Sequence, residues 1–247
     1  MRTLFVLFKT ELTLALREFS GVLFGMIMPL GIMMLLGILY NNKPAFEGAD
    51  YTMMQQAFPA VMTIGICATG LMSIPLTIAG YREKKILKRF KVTPTSPAVL
   101  IGAQFLSNLV TALISSLIVC ASAVLVFDYS FRGSLFPFIT SYFLVLASIY
   151  SIGILIASLS PNMKTANILC SIAYFPMLFL SGATIPYEIM PAGLQKVSSL
   201  MPMSQGIILL KGISLDIPVF SPVKPVIILA LTALICTAVS VRIFRWE

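Results

Sequence analysis

Six apolar runs, each at or above the ~20 residues needed to cross a hydrocarbon core, divide this sequence and leave little else to fold. They cover residues 19–40, 57–80, 97–127, 134–159, 165–185 and 222–241, and Lys224, at the edge of the last, is the one charged residue in them. A segment in hydrocarbon must close its backbone hydrogen bonds internally, and a run of this length does so as a helix. Only 11% of residues are charged and 58% are hydrophobic, against about 25% charged in soluble domains. The expected fold class is therefore all-α integral membrane, with six transmembrane helices. No hydrophilic stretch reaches the ~50 residues of a small soluble domain, so residues 1–247 are expected to form a single transmembrane domain.

Orientation follows from one strongly charged segment, GYREKKILKRFKVTPTSP at residues 80–97. Arg82, Lys84, Lys85, Lys88, Arg89 and Lys91 face a single acid, Glu83, and carry most of the net charge of +8. Loops this basic stay on the cytoplasmic side during insertion. Glu83, Ile86, Leu87 and Phe90 fall at i, i+3, i+4 and i+7, so residues 82–90 are predicted to form a short amphipathic helix. Pro94 then breaks it, and Ser96 with Pro97 makes a cap and a first helical position for the next span. Two roles are open to this helix: an anchor on anionic headgroups, or a docking element seated in a groove of a cytoplasmic partner.

The remaining segments fit one topology. Residues 1–18 set Phe5, Phe8, Leu12, Ala15 or Leu16, and Phe19 opposite Arg2, Lys9, Thr13 and Arg17, the pattern of an amphipathic helix lying at the inner interface. Lys9, Glu11, Arg17 and Glu18 interrupt any signal-peptide core, so this segment is expected to be retained. Spans 1–5 occupy residues 19–185. Residues 186–221, punctuated by Pro186, Pro191, Pro202 and Pro218, contain helical pieces at 191–200 and 204–212 that are too short to cross and are expected to be outer re-entrant helices. Span 6 covers 222–241, and 242–247 is a cytoplasmic tail. Both termini then lie inside, with Arg2, Lys9, Arg17, Lys164, Arg242, Arg245 and the basic stretch on that side. Lys43, Arg132, Lys196, Lys211 and Lys224 are left outside.

Several chemistries are excluded. The chain has no histidine, and Cys67, Cys120, Cys170 and Cys236 sit in separate runs without a CxxC pair. No metal site or disulfide framework is indicated, and the cysteines are expected to be small packing residues. No ionisable residue falls at mid-depth in the runs, which argues against an ion-driven carrier. No nucleophile motif or acidic pair supports an enzyme, so catalytic residues are expected to be none. No GxxxxGK[ST] loop is present to cradle a phosphate, so no cofactor is expected in this chain. The basic excess is accounted for by topology, and nucleic acid is not an expected partner. Thr69, Ser73, Asn108, Ser115, Asn167 and Tyr174 are polar within spans, and both lining a substrate path and bonding helix to helix are open to them. The Gly21–Gly25 spacing suits close approach of two helices.

Two motifs carry a family resemblance over nearly the full length. YREKKILKRFKVTPTSP resembles the first cytoplasmic loop of ABC-2 type export permeases, often REKGTL followed by a basic segment and TPLSP. FPMLFLSGATIPYEIMPAGLQKVSSLMPMS, beginning at Phe175, resembles their fifth span and re-entrant hairpin. The resemblance implies a permease subunit that pairs with a second, identical or related permease and with ABC ATP-binding subunits, which hold the ATP and Mg. It also implies export of an amphiphilic substrate, a drug, lipid or lipid-linked glycan, across the plasma membrane. Arg82, Glu83, Lys84, Lys85, Ile86, Leu87 and Phe90 would form the coupling helix to the ATPase. The sequence departs from the family at Lys85-Ile86, where Gly-Thr is frequent. The alternative from a different class is a membrane scaffold or assembly protein without transport activity.

Overall fold

The computed structural model describes residues 2–17, 19–40, 43–45, 50–91, 97–183, 190–217 and 221–244. Among these residues every regular element is helical, and one isolated bridge joins Pro44 to Thr52. Helix α1 is Arg2–Arg17. Span 1 comprises α2 (Phe19–Val22), a π-helical turn at Leu23–Ile27 and α3 (Met28–Tyr40). Span 2 comprises α4 (Met53–Cys67), a second π-helical turn at Ala68–Ser73 and α5 (Ile74–Glu83). A short α6 (Ile86–Lys91) follows. Spans 3, 4 and 5 are α7 (Pro97–Phe127), α8 (Leu135–Leu159) and α9 (Met163–Leu180). Then come α10 (Ala192–Ser198), α11 (Pro202–Ser214) and span 6, α12 (Val223–Ile243). Six of these helical stretches are long and apolar enough to cross a membrane. The expected break at residues 92–96 with its Ser96 cap, and the positions of Glu18, Pro186, Pro218 and Arg245, lie outside the described residues.

Span 2 is longer at both ends than the apolar run suggests. At its start Thr52 accepts a hydrogen bond from the Gln55 amide (3.2 Å), and the Gln55 side chain accepts one from the Thr52 amide (3.1 Å). This reciprocal box satisfies two of the amides that a helix start leaves open. Gln55 also donates to Ser130 Oγ at 3.3 Å, which ties the start of span 2 to the connection between spans 3 and 4. At the other end the helix runs on into the basic stretch as far as Glu83. Pro161 and Asn162 lie where α8 ends and α9 begins, with Asn162 capping α9 by accepting from the Thr165 amide at 2.9 Å.

The core lies between span 2, span 4 and α11, where nearly every residue of α4 is buried. Spans 5 and 6 leave most of their surface outward. Helix α11 packs against spans 2, 4 and 6 and brings Lys211 into the interior. Its ammonium donates to Tyr51 Oη (2.8 Å) and Gln56 Oε1 (3.2 Å) and lies 4.6 Å from the Tyr51 ring centroid. Lys211, counted from sequence among the outer charges, is therefore enclosed by the bundle. A folded-in helix, not a span, delivers it.

Lipid chains are as apolar as leucine, so helices in a bilayer are held by close packing and internal hydrogen bonds. Both meet where spans 2 and 4 cross. A Cβ added at Gly153 would overlap the backbone carbonyl of Gly70, and one added at Gly70 would press on the Tyr150 ring. That ring is fully buried, and its hydroxyl donates to Asn108 O (2.8 Å) in span 3 and contacts Thr69 Oγ1 (3.0 Å) in span 2. Two turns away Tyr142 repeats the link, bonding Ser116 Oγ at 2.8 Å and Ala112 O at 3.2 Å. Gly153→Val is expected to cost about 1–3 kcal/mol, because backbone cannot yield as a flexible side chain does. Thermal unfolding of the purified variant in detergent checks this, and a transition equal to that of the unmodified chain refutes the crossing.

Candidate functional site

The end of the bundle that carries the basic stretch is built around two adjacent residues of opposite charge. Arg82 is buried, and its Nη1 donates to the carbonyls of Ala157 (3.0 Å) and Ser160. Those carbonyls belong to the C-terminal end of α8, where the last C=O groups lack partners within the helix and attract cations. Glu83 turns the other way, its Oε2 accepting the Met163 amide at 3.0 Å. Met163 opens α9, and a helix N-terminus favours a carboxylate. One dipeptide thus binds the closing end of span 4 and the opening end of span 5. The Arg82 guanidinium also lies 5.5 Å from the ring centroid of Phe244, at the end of span 6, within cation–π range.

Past this clamp the helix breaks. Lys84 caps α5 with its amide on Gly80 O, and Lys85 has φ of 56°, in the left-handed region. Helix α6 then restarts at Ile86. The single amphipathic helix expected over residues 82–90 is therefore two pieces. Arg82 and Glu83 are the last turn of span 2, with their charges spent on spans 4 and 5, while Lys84 and Lys85 form an exposed elbow. Ile86 is half-buried and Leu87 is buried. The Phe90 side chain lies outside the described residues.

Beside the clamp lies a cavity of about 540 Å³ bounded by α1 and spans 1, 2 and 3, with Met163 at its edge. Both π-helical turns face it, through Phe24 and Gly25 on one side and Thr69, Met72 and Ser73 on the other. A π turn inserts a residue into a helix and widens it locally, often at functional sites. Of the six polar residues singled out from sequence, Thr69, Ser73 and Asn108 line this cavity. Ser115 is buried against Gly65, Asn167 is exposed on span 5, and Tyr174 is buried with its ring edge-on to Phe175.

Glu11 lines the same cavity, and the amphipathic pattern of α1 had not marked it. Leu4, Phe8, Glu11 and Ala15 form the enclosed side of α1, which packs along span 3, while Phe5 and Val6 face outward. The expected apolar face is thus divided, with Phe5 on one side and Phe8 on the other. The Tyr81 hydroxyl donates to the Glu11 carboxylate, lying 2.7 and 2.6 Å from its two oxygens. Burial raises the Glu11 carboxyl above its ordinary value and outweighs the opposing effect of the Tyr81 bond.

Comparison with known proteins is informative at this point. Residues 2–215 match the family described as ABC-2 type transporter. The chain belongs to this family. Among relatives, it is 28% identical over 177 residues to an Escherichia coli K12 protein named as a probable multidrug ABC transporter permease, YbhR, covering 70% of this chain and 47% of the relative. A Cyanophora paradoxa protein named as a transport permease, ycf38, is 26% identical over 208 residues, covering 83% and 71% respectively. The chain spans about half the length of the YbhR relative it matches. Family and helices together make it a multi-pass membrane protein of the ABC-2 type transporter family.

The elbow sets a cost on Lys85, where the resembling motif often carries glycine. An L-residue in the left-handed region carries a penalty of roughly 1–2 kcal/mol that glycine escapes, so a glycine at this place suits the geometry and Lys85 bears the strain. Lys85→Gly is expected to raise the thermal transition, and a fall on substitution contradicts the left-handed elbow. A second outcome concerns pH. The folded chain holds the Glu11 proton more tightly than the unfolded one. Stability from this group is therefore full below the ordinary value of 4.5 and is lost as pH rises through the higher folded value. Relative to Glu11→Gln, the unmodified chain should lose stability as pH is raised from about 4.5. Parallel stability profiles for the two proteins refute the burial of the carboxyl.

Proposed function

We propose that the chain is the permease subunit of an ATP-driven ABC-2 exporter that moves an amphiphilic substrate, a drug, lipid or lipid-linked glycan. It works with separate ATP-binding subunits, which hold ATP and Mg, and with a second permease, identical or related. It resides in the plasma membrane with both termini in the cytoplasm, and α1 lies along the inner interface. Export is supported by family membership, by the transport names of the relatives and by the 540 Å³ cavity. The inside assignment rests on the positive-inside rule applied to the basic stretch.

The observation that carries the coupling reading is the position of α6. It follows the Lys84–Lys85 elbow, directly after the residues that hold the ends of α8 and α9. ATP-binding subunits closing on ATP press α6, and the load enters span 2 at Glu83. From there it passes to spans 4 and 5 through Arg82 and Glu83, and to span 6 through Phe244. Coupling residues thus divide into two groups. Ile86 and Phe90, with the elbow lysines, belong to docking, buried Leu87 seats α6 on the bundle, and Arg82 with Glu83 distributes the motion.

This division has separable consequences in a reconstituted complex with an ATP-binding subunit. Ile86→Glu and Phe90→Ala are expected to weaken retention of the ATPase on the permease about tenfold. Glu83→Ala is expected to leave the complex assembled while lowering substrate export per ATP about tenfold. Affinity co-purification and transport measured in the same proteoliposomes check both. Failure of any ATP-binding subunit to associate overturns the exporter reading, and uniform loss of association in all three variants overturns the division of roles.

A further inference from the structure

The Glu11 carboxylate is an unusual occupant of an apolar wall. It is 5% exposed, and among the described residues its hydrogen-bond donor is the Tyr81 hydroxyl, a single proton for two oxygens. A carboxylate offers about four acceptor positions, and a buried charge satisfied this sparsely is costly unless a proton or a cation joins it. Deeper in the same cavity, Gln104 is 3% exposed with its Oε1 unpartnered among the described residues. Its neighbour Asn108 directs its amide to Gln104 O at 2.9 Å. The buried polar wall therefore presents unspent acceptors. Between them lie apolar surfaces from Leu14, Phe24, Met72 and Leu76, and the two π turns open the space.

The other charged group lining the cavity is Lys84, which is exposed on the elbow. Among the described residues, spans 1 and 3 contribute no ionisable side chain to the lining. A site with an inner carboxylate, an unsatisfied amide oxygen and an apolar body repels anions and gives a neutral hydrocarbon no reason to prefer it. Its complement is a group that brings both a positive charge and N–H donors.

We propose that the cavity bounded by α1 and spans 1 to 3 binds a protonated amine carried on an apolar body, with the Glu11 carboxylate as its counter-charge. As a cargo site this rests on the exporter reading above and narrows its substrate class to cationic amphiphiles. The binding itself needs no ATPase. Two sources supply this chemistry: the headgroup of an aminophospholipid, or a free lipophilic amine. The raised carboxyl of Glu11 fits either, since an empty site favours the proton and an arriving ammonium replaces it.

The test uses the full chain in nanodiscs of phosphatidylcholine, whose headgroup has no N–H. Monodansylcadaverine, a primary ammonium on an aromatic body, is titrated alongside its neutral N-acetyl form, with dansyl emission as the readout. The amine is expected to bind at least tenfold more tightly than the acetylated form. Glu11→Gln is expected to remove that preference and leave the neutral form unchanged. Ala15→Phe, which fills the cavity without altering charge, should weaken both and keeps the test available if Glu11→Gln misfolds. Adding phosphatidylethanolamine to the disc separates the sources: competition with the probe assigns the site to the headgroup, and absence of competition assigns it to a free amine.

Equal affinity for the two probes, or an amine preference that survives in a folded Glu11→Gln chain, overturns the proposal. These results are distinguishable from failure of the exporter reading. Amine binding without any ATP-dependent export removes the cargo role and leaves the site, whereas export of neutral amphiphiles with no amine preference does the reverse.

Discussion

The two ends of an α-helix expose partial charges of opposite sign, and this bundle meets both at one point. Arg82 supplies the cation that the terminal carbonyls of span 4 attract, and Glu83 supplies the acceptor that the first amide of span 5 seeks. Neither need could be met by lipid acyl chains, which offer no hydrogen bonds. Placing both groups on consecutive residues makes span 2 the common support of its neighbours, and the Phe244 ring adds span 6 to the same centre. The rest of this end of the molecule is arranged by that contact. The elbow follows directly on this anchor, and α6 restarts beyond it with Leu87 buried.

The interior is organised by a second requirement, that buried polar groups find partners. Tyr150 and Tyr142 carry hydroxyls from span 4 to backbone oxygens of span 3, and Lys211 is surrounded by a tyrosine and a glutamine. The region around the cavity departs from this rule. Glu11 shares one donor between two oxygens and Gln104 Oε1 is unpartnered among the described residues, where the two π turns widen their helices. Here the incompletely partnered acceptors of Glu11 and Gln104 line a void that apolar side chains share.

Much of the architecture was legible from residues alone, because a charge-free run of bilayer length has few other conformations available. The six spans, the turn between α8 and α9, and two short helices before span 6 follow from length, proline and asparagine. The site was less visible, and for specific reasons. Lipid and protein interior are both apolar, so the pattern of α1 could not tell the face with Phe8 and Glu11 from the face with Phe5. The elbow at Lys85 has no glycine or proline to announce it, so the helical spacing from Glu83 to Phe90 read straight through. The π turns leave no mark on periodicity over so few residues. Lys211 looked like a loop charge because α11 is too short to be a span, and only packing could show that it is enclosed.

The contact of Gly70 with Gly153 has a mechanical meaning. Two stiff rods that touch backbone to backbone at one place, with bulkier side chains above and below, have a fulcrum there. A small rotation at that point swings their far ends in opposite senses. A methyl group at either glycine would hold the two backbones apart, so a pair of hydrogen atoms sets how closely spans 2 and 4 approach at this crossing.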